Sequence, residues 1–286
     1  MKTAVYTTIY PDVIMFLPDF FSSLAKQNDK DFELFCCLDG IEEAEVSQFV
    51  SQEIVVNFFI PQEGSPSSIR QECWKYIIKV GYGIIVMVDA DDILRPSRVK
   101  NAKLSLEKAD IDVCGLQTVD GDLNEMPFKI LPNPSEDIKG YIVSENDIGL
   151  SNTCFRTDFL DKVLPAPKEI IMLDWFLAMR AVEEGGRISK RSDLDMLYRQ
   201  YDNNVANFIP PYSSESILLQ TGKVISFYKS IIPYLSKLRP LVKKRLDEVE
   251  AFFTSVQDQE YMDNHLIELN NQNKETYKWW HMVAKH

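Results

Sequence analysis

"GIIVMVDADDILRP", residues 83–96, sets an apolar run of Ile, Val and Met directly against three carboxylates, Asp89, Asp91 and Asp92. A continuous apolar run of this length reads as a strand buried on both faces, the habit of parallel sheets covered by helices. Such sheets gather their functional groups at the carboxyl ends of the strands. Three neighbouring negative charges repel one another, so the acids either cap the helix that follows Pro96 or await a partner. A divalent cation with oxygen ligands suits the second role.

Outward from this stretch, strand and helix patterns alternate. "KTAVYTT" (2–8), "FELFCCLD" (32–39), "IVVNFFIP" (54–61) and "IDVCGLQTV" (111–119) are strand-like. Between them, "DVIMFLPDFFSSLAKQ" (12–27) has apolar residues at helical spacing despite Pro18, and "EAEVSQFVSQ" (43–52) is a further helix candidate. "SPSSIRQECWKYIIKV" (65–80) and "PSRVKNAKLSLEKA" (96–109) carry serine or proline at helix starts. This order predicts an α/β fold with a mostly parallel sheet flanked by helices. After about residue 120 the texture changes. "DGDLNEMPFKILPNPSEDIKG" (120–140) reads as a long connection or lid. It is followed by "SNTCFRTDFL", by a helical "MLDWFLAMRAVEEGG" ended by Gly185 and Gly186, and by a short "MLYRQY" strand. From Ser213 the chain reads as helical with heptad-like apolar stripes, and it ends in the aromatic and basic "YKWWHMVAKH". The expected division is a domain over residues 1–212, with halves 1–120 and 121–212, and a helical extension over 213–286.

Composition narrows the function. Among 286 residues, 43 acids against 31 bases give a net charge of −12, which excludes nucleic acid as the main partner because phosphate binding needs clustered basic surface. An anionic substrate must then be held by local devices: a metal, a few arginines or helix N-termini. The five cysteines are scattered within apolar patterns, with no CxxC or His-rich zinc spacing. The opening "MKTAVYTTIYPDV" has no sustained apolar region and no segment approaches a membrane span. The expectation is a cytoplasmic protein, with peripheral contact at the inner face of the cell membrane left open.

Five local patterns occur in a recognisable order: "VYTTIY", "CLDG", "SIRQECWKY", "MVDADD", and "LDWFLAMRA" with "YRQYDNNVAN". In this order they resemble the family 2 glycosyltransferases of the GT-A fold, non-processive and of the bacterial surface-polysaccharide type, from the first strand to about residue 207. A lone DxD is common by chance; the ordered set is specific. The resemblance implies an inverting transfer of a sugar from a nucleotide-sugar donor, UDP-linked by preference, to a hydroxyl of a glycan or lipid-linked acceptor. It implies donor contacts at Thr7, Thr8, Asp39, Arg70, Asp89 and Ala90. Asp91 would be the direct ligand of a Mn²⁺ or Mg²⁺ ion. Asp89 would reach the ribose or a metal-bound water, and Asp92 would support either.

Each assignment has a plainer counterpart. Asp39 is also the Asp of a turn-forming Asp-Gly. Thr7 and Thr8 suit any strand, and Arg70 either pairs with Asp89, faces the diphosphate or sits on the surface. Asp174, at the start of a helix, is favoured there by the helix dipole in any protein. In the resemblance it is the general base for the acceptor hydroxyl. Trp175 is either an acceptor platform or a core residue. The chain departs from the family pattern at Tyr201, where many relatives carry a histidine that completes the metal sphere. Its own histidines, His265, His281 and His286, lie in the tail. The QxxRW signature of processive synthases is missing. The alternatives are a degenerate scaffold that binds sugar nucleotides, or a nucleotidyltransferase, although "TTIYPDV" lacks the latter's glycine-rich loop. The C-terminal helices are expected either to serve homo-oligomerisation or docking on a membrane surface, or to pack on the domain before them.

Overall fold

The computed structural model describes residues 1–62, 64–133, 135, 137–201, 211–271 and 283. Its first half is a parallel sheet. β1 (Thr3–Ile9) is flanked by β2 (Glu33–Leu38) and β4 (Ile84–Met87), and β3 (Val56–Phe59) lies outside β2, all in parallel. Side chains of β1 alternate between two cores: Ala4 and Tyr6 enter one, Val5 and Ile9 the other. That two-sided burial explains why these strands read as unbroken apolar runs. A 3₁₀ turn at Pro11–Phe16 leads into α1 (Leu17–Ala25), so Pro18 sits in the first turn, where its missing N–H costs nothing. α2 (Glu43–Ser47) is only five residues long, half the expected span. α3 (Pro66–Lys79) begins at an N-cap Ser65 whose side chain accepts from Ser68 N–H.

The second half turns the sheet into a mixed one. β5 (Ile93–Leu94), α4 (Arg98–Leu106), β6 (Ile111–Val119), β7 (Glu125–Ile130), α5 (Ile138–Ser144), β8 (Thr153–Arg156), α6 (Thr157–Val163), α7 (Leu173–Glu183) and β9 (Ile188–Arg199) follow in order. The nine-stranded sheet runs β3-β2-β1-β4-β8-β6-β9-β5, with β7 paired to β6. β8 is antiparallel to both β4 and β6, β7 is antiparallel to β6, and β5 is antiparallel to β9. The other six strands share one direction.

Two segments differ from their sequence reading. The expected lid contains β7, whose Met126, Phe128 and Ile130 alternate half-buried with exposed neighbours, Pro127 among them. Edge strands tolerate such a proline. The expected short strand at "MLYRQY" is the end of the twelve-residue β9. Its polar first half is masked as a strand signal because its charges pair internally. Arg191 bonds Asp112 at 2.7 Å and Asp195 at 2.8 Å, and Asp112 also takes Arg98 at 3.1 Å with both side chains fully buried.

α7 ends where Gly185 adopts φ +74°, a left-handed conformation that favours glycine. α8 (Ser214–Ile231), α9 (Arg239–Ser255) and α10 (Gln259–Asn270) pack onto the second half. Phe227 and Tyr228 of α8 share one apolar cluster with Trp175 of α7, Ile142 of α5 and Met262 of α10. Among the described residues no helix is long and apolar enough to cross a membrane. Of the terminal "YKWWHMVAKH", only Val283 lies within the described residues, and it is buried in that same cluster.

Candidate active site

The carboxyl ends of β1, β2 and β4 form one rim. Asp39 follows β2 half-buried, its N–H bonded to Ile9 O at 2.8 Å, and Gly40 takes φ +70° to complete the turn. Thr8 exchanges a 2.8 Å hydroxyl bond with Tyr6. Thr7 is fully buried, with its hydroxyl unpartnered among the described residues, and its side chain alternates away from that of Thr8. Of the two threonines, Thr8 has its hydroxyl in a polar contact. Arg70 lies in the first turns of α3, half-buried, near enough to the Tyr6 and Tyr10 hydroxyls to act on both electrostatically. It makes no ion pair with Asp89 among the described residues.

The acid loop after β4 is held from below. Asp89 donates its N–H to Ser151 Oγ at 3.0 Å, and Ser151 returns its hydroxyl to Asp89 Oδ2 at 3.1 Å. Ala90 is 1% exposed, so its methyl belongs to the core and only its backbone can meet a ligand. Asp92 is buried and turned inward, its Oδ1 accepting Arg199 N–H at 2.9 Å, and burial followed by repulsion from Asp91 pushes its carboxyl well up. It supports the loop from within.

Asp91 faces outward. Tyr201 donates to its Oδ2 at 2.8 Å, and Arg199 Nε donates to its carbonyl at 2.9 Å. Burial, then the charge of Asp89, raises Asp91 to about 6. The Arg199 guanidinium also bonds Gly121 O and Asp19 Oδ2 and lies 4.5 Å over the Phe16 ring. It therefore ties α1, the β6–β7 turn and the acid loop to the end of β9.

Asp174 completes the rim. It lies half-buried in the first turn of α7, and its Oδ2 accepts from Asn146 Nδ2 at 3.0 Å. Burial raises it to about 6, with Asp89 as the repelling charge. The Tyr198 hydroxyl is pushed up by burial and then by Asp92, Asp89, Asp91 and Asp174 together. One phenol thus lies within electrostatic reach of all four carboxylates, although Asp174 is more than 80 residues from the others in the chain.

Trp175 requires a correction. The ring is 1% exposed, stacks on Phe227 at 5.0 Å between centroids, and donates Nε1–H to Ile142 O at 2.6 Å. A ring covered on both faces offers no platform to a sugar. Its role is to anchor the helix that carries Asp174. Sequence reading also missed Ser151, Asn146 and Arg199 as partners of the acids. Arg199 stood in the noted "YRQY" segment, whereas Ser151 and Asn146 gave no local signal. The part of "YRQYDNNVAN" beyond Tyr201 lies outside the described residues.

A Mn²⁺ or Mg²⁺ ion can be tested against this donor set. No cluster of three His, Cys, Asp or Glu side chains among the described residues forms a ready-made cage. Asp89 and Asp91 supply hard oxygen ligands at a water-accessible edge, with Asp92 turned away. One or two carboxylates suit an ion that draws its remaining ligands from substrate phosphates and water. The residues fit such an ion.

No family model matches the chain, and no curated protein matches it in sequence. Solved structures do match. S. aureus TarS residues 1–349 in complex with UDP-GlcNAc superposes with a TM-score of 0.57 at 16% identity, over 90% of this chain and 72% of that one. The longer S. aureus TarS structure gives 0.57 at 17% identity, over 96% of this chain but 46% of its own length. The mannosyltransferase PcManGT from Pyrobaculum calidifontis, in complex with GDP-Man and Mn²⁺, gives 0.59 at 10% identity over 96% and 76%. At these identities the likeness establishes the fold. The chain has the α/β GT-A fold that the sequence patterns predicted.

Proposed function

We propose that this protein is an inverting glycosyltransferase that moves a sugar from a nucleotide-sugar donor to a hydroxyl of a glycan or lipid-linked acceptor. The observation that carries the reading is the gathering of Asp89, Asp91 and Asp174 on one rim of a GT-A sheet, with Asp174 raised to about 6. A base of that strength is largely ionised at neutral pH and still basic enough to take a proton in the transition state. Support also comes from the likeness to structures that hold UDP-GlcNAc or GDP-Man.

In this reading the diphosphate lies over the acid loop, with Arg70 as a cation available to it. The acceptor hydroxyl gives its proton to Asp174 as its oxygen attacks the anomeric carbon. The bond from that carbon to the diphosphate breaks, and the nucleoside diphosphate leaves with the electron pair. One displacement inverts the anomeric centre. Asn146 holds Asp174 in orientation, and the core-bound Trp175 keeps α7 from drifting. A divalent ion held by Asp91 and Asp89 would supply positive charge where the departing phosphate becomes more negative. Asp39 would accept a hydrogen bond from the base, with UDP preferred.

A thermal-shift panel of UDP-, GDP-, CDP- and dTDP-sugars, with and without Mn²⁺, tests the donor side. Stabilisation by one nucleotide class that depends on the ion is expected. Indifference to every nucleotide sugar overturns the reading. Saturable binding without turnover on any acceptor would identify a binding protein instead.

A further inference from the structure

Tyr201 fixes one oxygen of Asp91. Its hydroxyl donates to Oδ2 at 2.8 Å, while its ring packs against Phe16 with centroids 4.9 Å apart. Two residues earlier, Arg199 grips the Asp91 carbonyl through Nε at 2.9 Å and Asp92 Oδ1 through its N–H at 2.9 Å. The backbone of Asp91 and the rotation of its carboxylate are thus both set from the end of β9. A cation that takes a single Asp91 oxygen leaves the Tyr201 bond intact. One that chelates both oxygens must share Oδ2 with the phenol, which weakens that bond.

The known ligand habits of divalent ions make this distinction useful. Ca²⁺ takes six to eight oxygens and often binds carboxylates through both of theirs. Mg²⁺ keeps a tight octahedron and is typically bound through one or two carboxylates with phosphates and water. We propose that Tyr201 is an ion-selecting positioning residue, which holds Asp91 as a one-oxygen ligand and so favours Mn²⁺ and Mg²⁺ over Ca²⁺ at the acid loop. The inference rests on the reading of the acid loop as the donor diphosphate site. Charge alone would not discriminate among these ions, since all carry two positive charges. The discrimination comes from the phenol.

The test is calorimetric titration of the 286-residue chain with UDP, and in parallel GDP, in Mn²⁺, Mg²⁺ or Ca²⁺, for the parent and for Tyr201→Phe. The phenylalanine keeps the ring contact with Phe16, and an unfolding curve recorded alongside verifies the fold. The parent should bind nucleotide more tightly with Mn²⁺ than with Ca²⁺. In Tyr201→Phe the ratio of the two affinities should shrink by about tenfold, the effect of one hydrogen bond to a charged group. An unchanged ratio, or an equal loss with every ion, overturns the selecting role and leaves only a structural one. Parent binding that ignores all three ions removes the metal-assisted reading and this inference together. Ion-dependent binding with an unaltered preference removes this inference alone.

Discussion

Asp174→Asn should make the protein less active and more stable. Burial and the nearby Asp89 raise Asp174 from its ordinary 3.8 to about 6. At about 1.4 kcal/mol per pH unit that gap corresponds to an upper bound of about 3 kcal/mol. Asp174 is half-buried, so solvent screening reduces the realistic figure to about 1–2 kcal/mol. The direction follows from proton binding. Between pH 3.8 and about 6 the folded chain keeps a proton on Asp174 that the unfolded chain has released. Stability therefore falls as pH rises through that window and stays lowered above it. Asparagine carries no charge to be desolvated, and its side-chain oxygen still accepts from Asn146. The variant should be about 1–2 kcal/mol more stable than the parent at pH 8, with the difference gone below pH 4. A charge at an exposed helix start would predict the opposite, a loss of about 0.3–1 kcal/mol. Transfer should fall by about 10²–10⁴-fold, the loss expected for a positioned base. Urea unfolding at the two pH values reads the first effect. Nucleoside diphosphate release with acceptor present reads the second, and donor hydrolysis by water is a weaker substitute. A variant that is destabilised at pH 8, or that transfers sugar at close to the parent rate, refutes the reasoning.

Asp91→Ala should leave the fold intact and abolish ion-dependent donor binding; unchanged donor affinity by calorimetry in Mn²⁺ would end the metal assignment. Asn146→Ala removes a hydrogen bond that favours ionised Asp174, so the acid limb of the kcat/KM profile should move upward from about pH 6. A limb that stays in place or moves down would separate Asn146 from the base. Arg199→Met leaves the Asp91 and Gly121 carbonyls without their donors, at a cost of about 1–3 kcal/mol for each group left unsatisfied. Denaturant midpoints indistinguishable from the parent would contradict that role. Phe227→Ala strips the stacking partner from Trp175 and should cost about 3–5 kcal/mol, lowering turnover as well because α7 loosens. A loss below about 1 kcal/mol would mean that α8 contributes little to the core.

The first half was legible because β1, β2 and β4 are buried on both faces and α3 starts at a capping serine. Apolar runs at β1, β2 and β4 and the Ser65 cap of α3 are local signals. The second half hid its strands for opposite reasons. β7 is a proline-bearing edge, and β9 pairs Arg191 with the buried Asp112 and with Asp195 instead of leaving those charges in water. In the site, the acids stood out because carboxylates at a strand end are conspicuous. Their partners did not: Ser151, Asn146 and Arg199 are polar residues in unremarkable contexts, and only tertiary contact gives them a role. Trp175 shows the limit in reverse. A tryptophan beside a site acid suggests a sugar platform, but whether its faces are free depends on Phe227, 52 positions away.

The antiparallel strand β8 has a consequence for how the site comes into being. Because β8 runs against β4, its start lies beside the end of β4, and Ser151 meets Asp89 across 62 residues of chain. Arg199 reaches Asp92 across 107 and Tyr201 reaches Asp91 across 110. Each of these closures must overcome the entropy of a long intervening loop. The parallel core around β1 has its own apolar cement, whereas the acid loop gains its supports only when β8 and β9 dock. Donor affinity should therefore lag behind secondary structure during refolding, making a nucleotide a reporter of the last step.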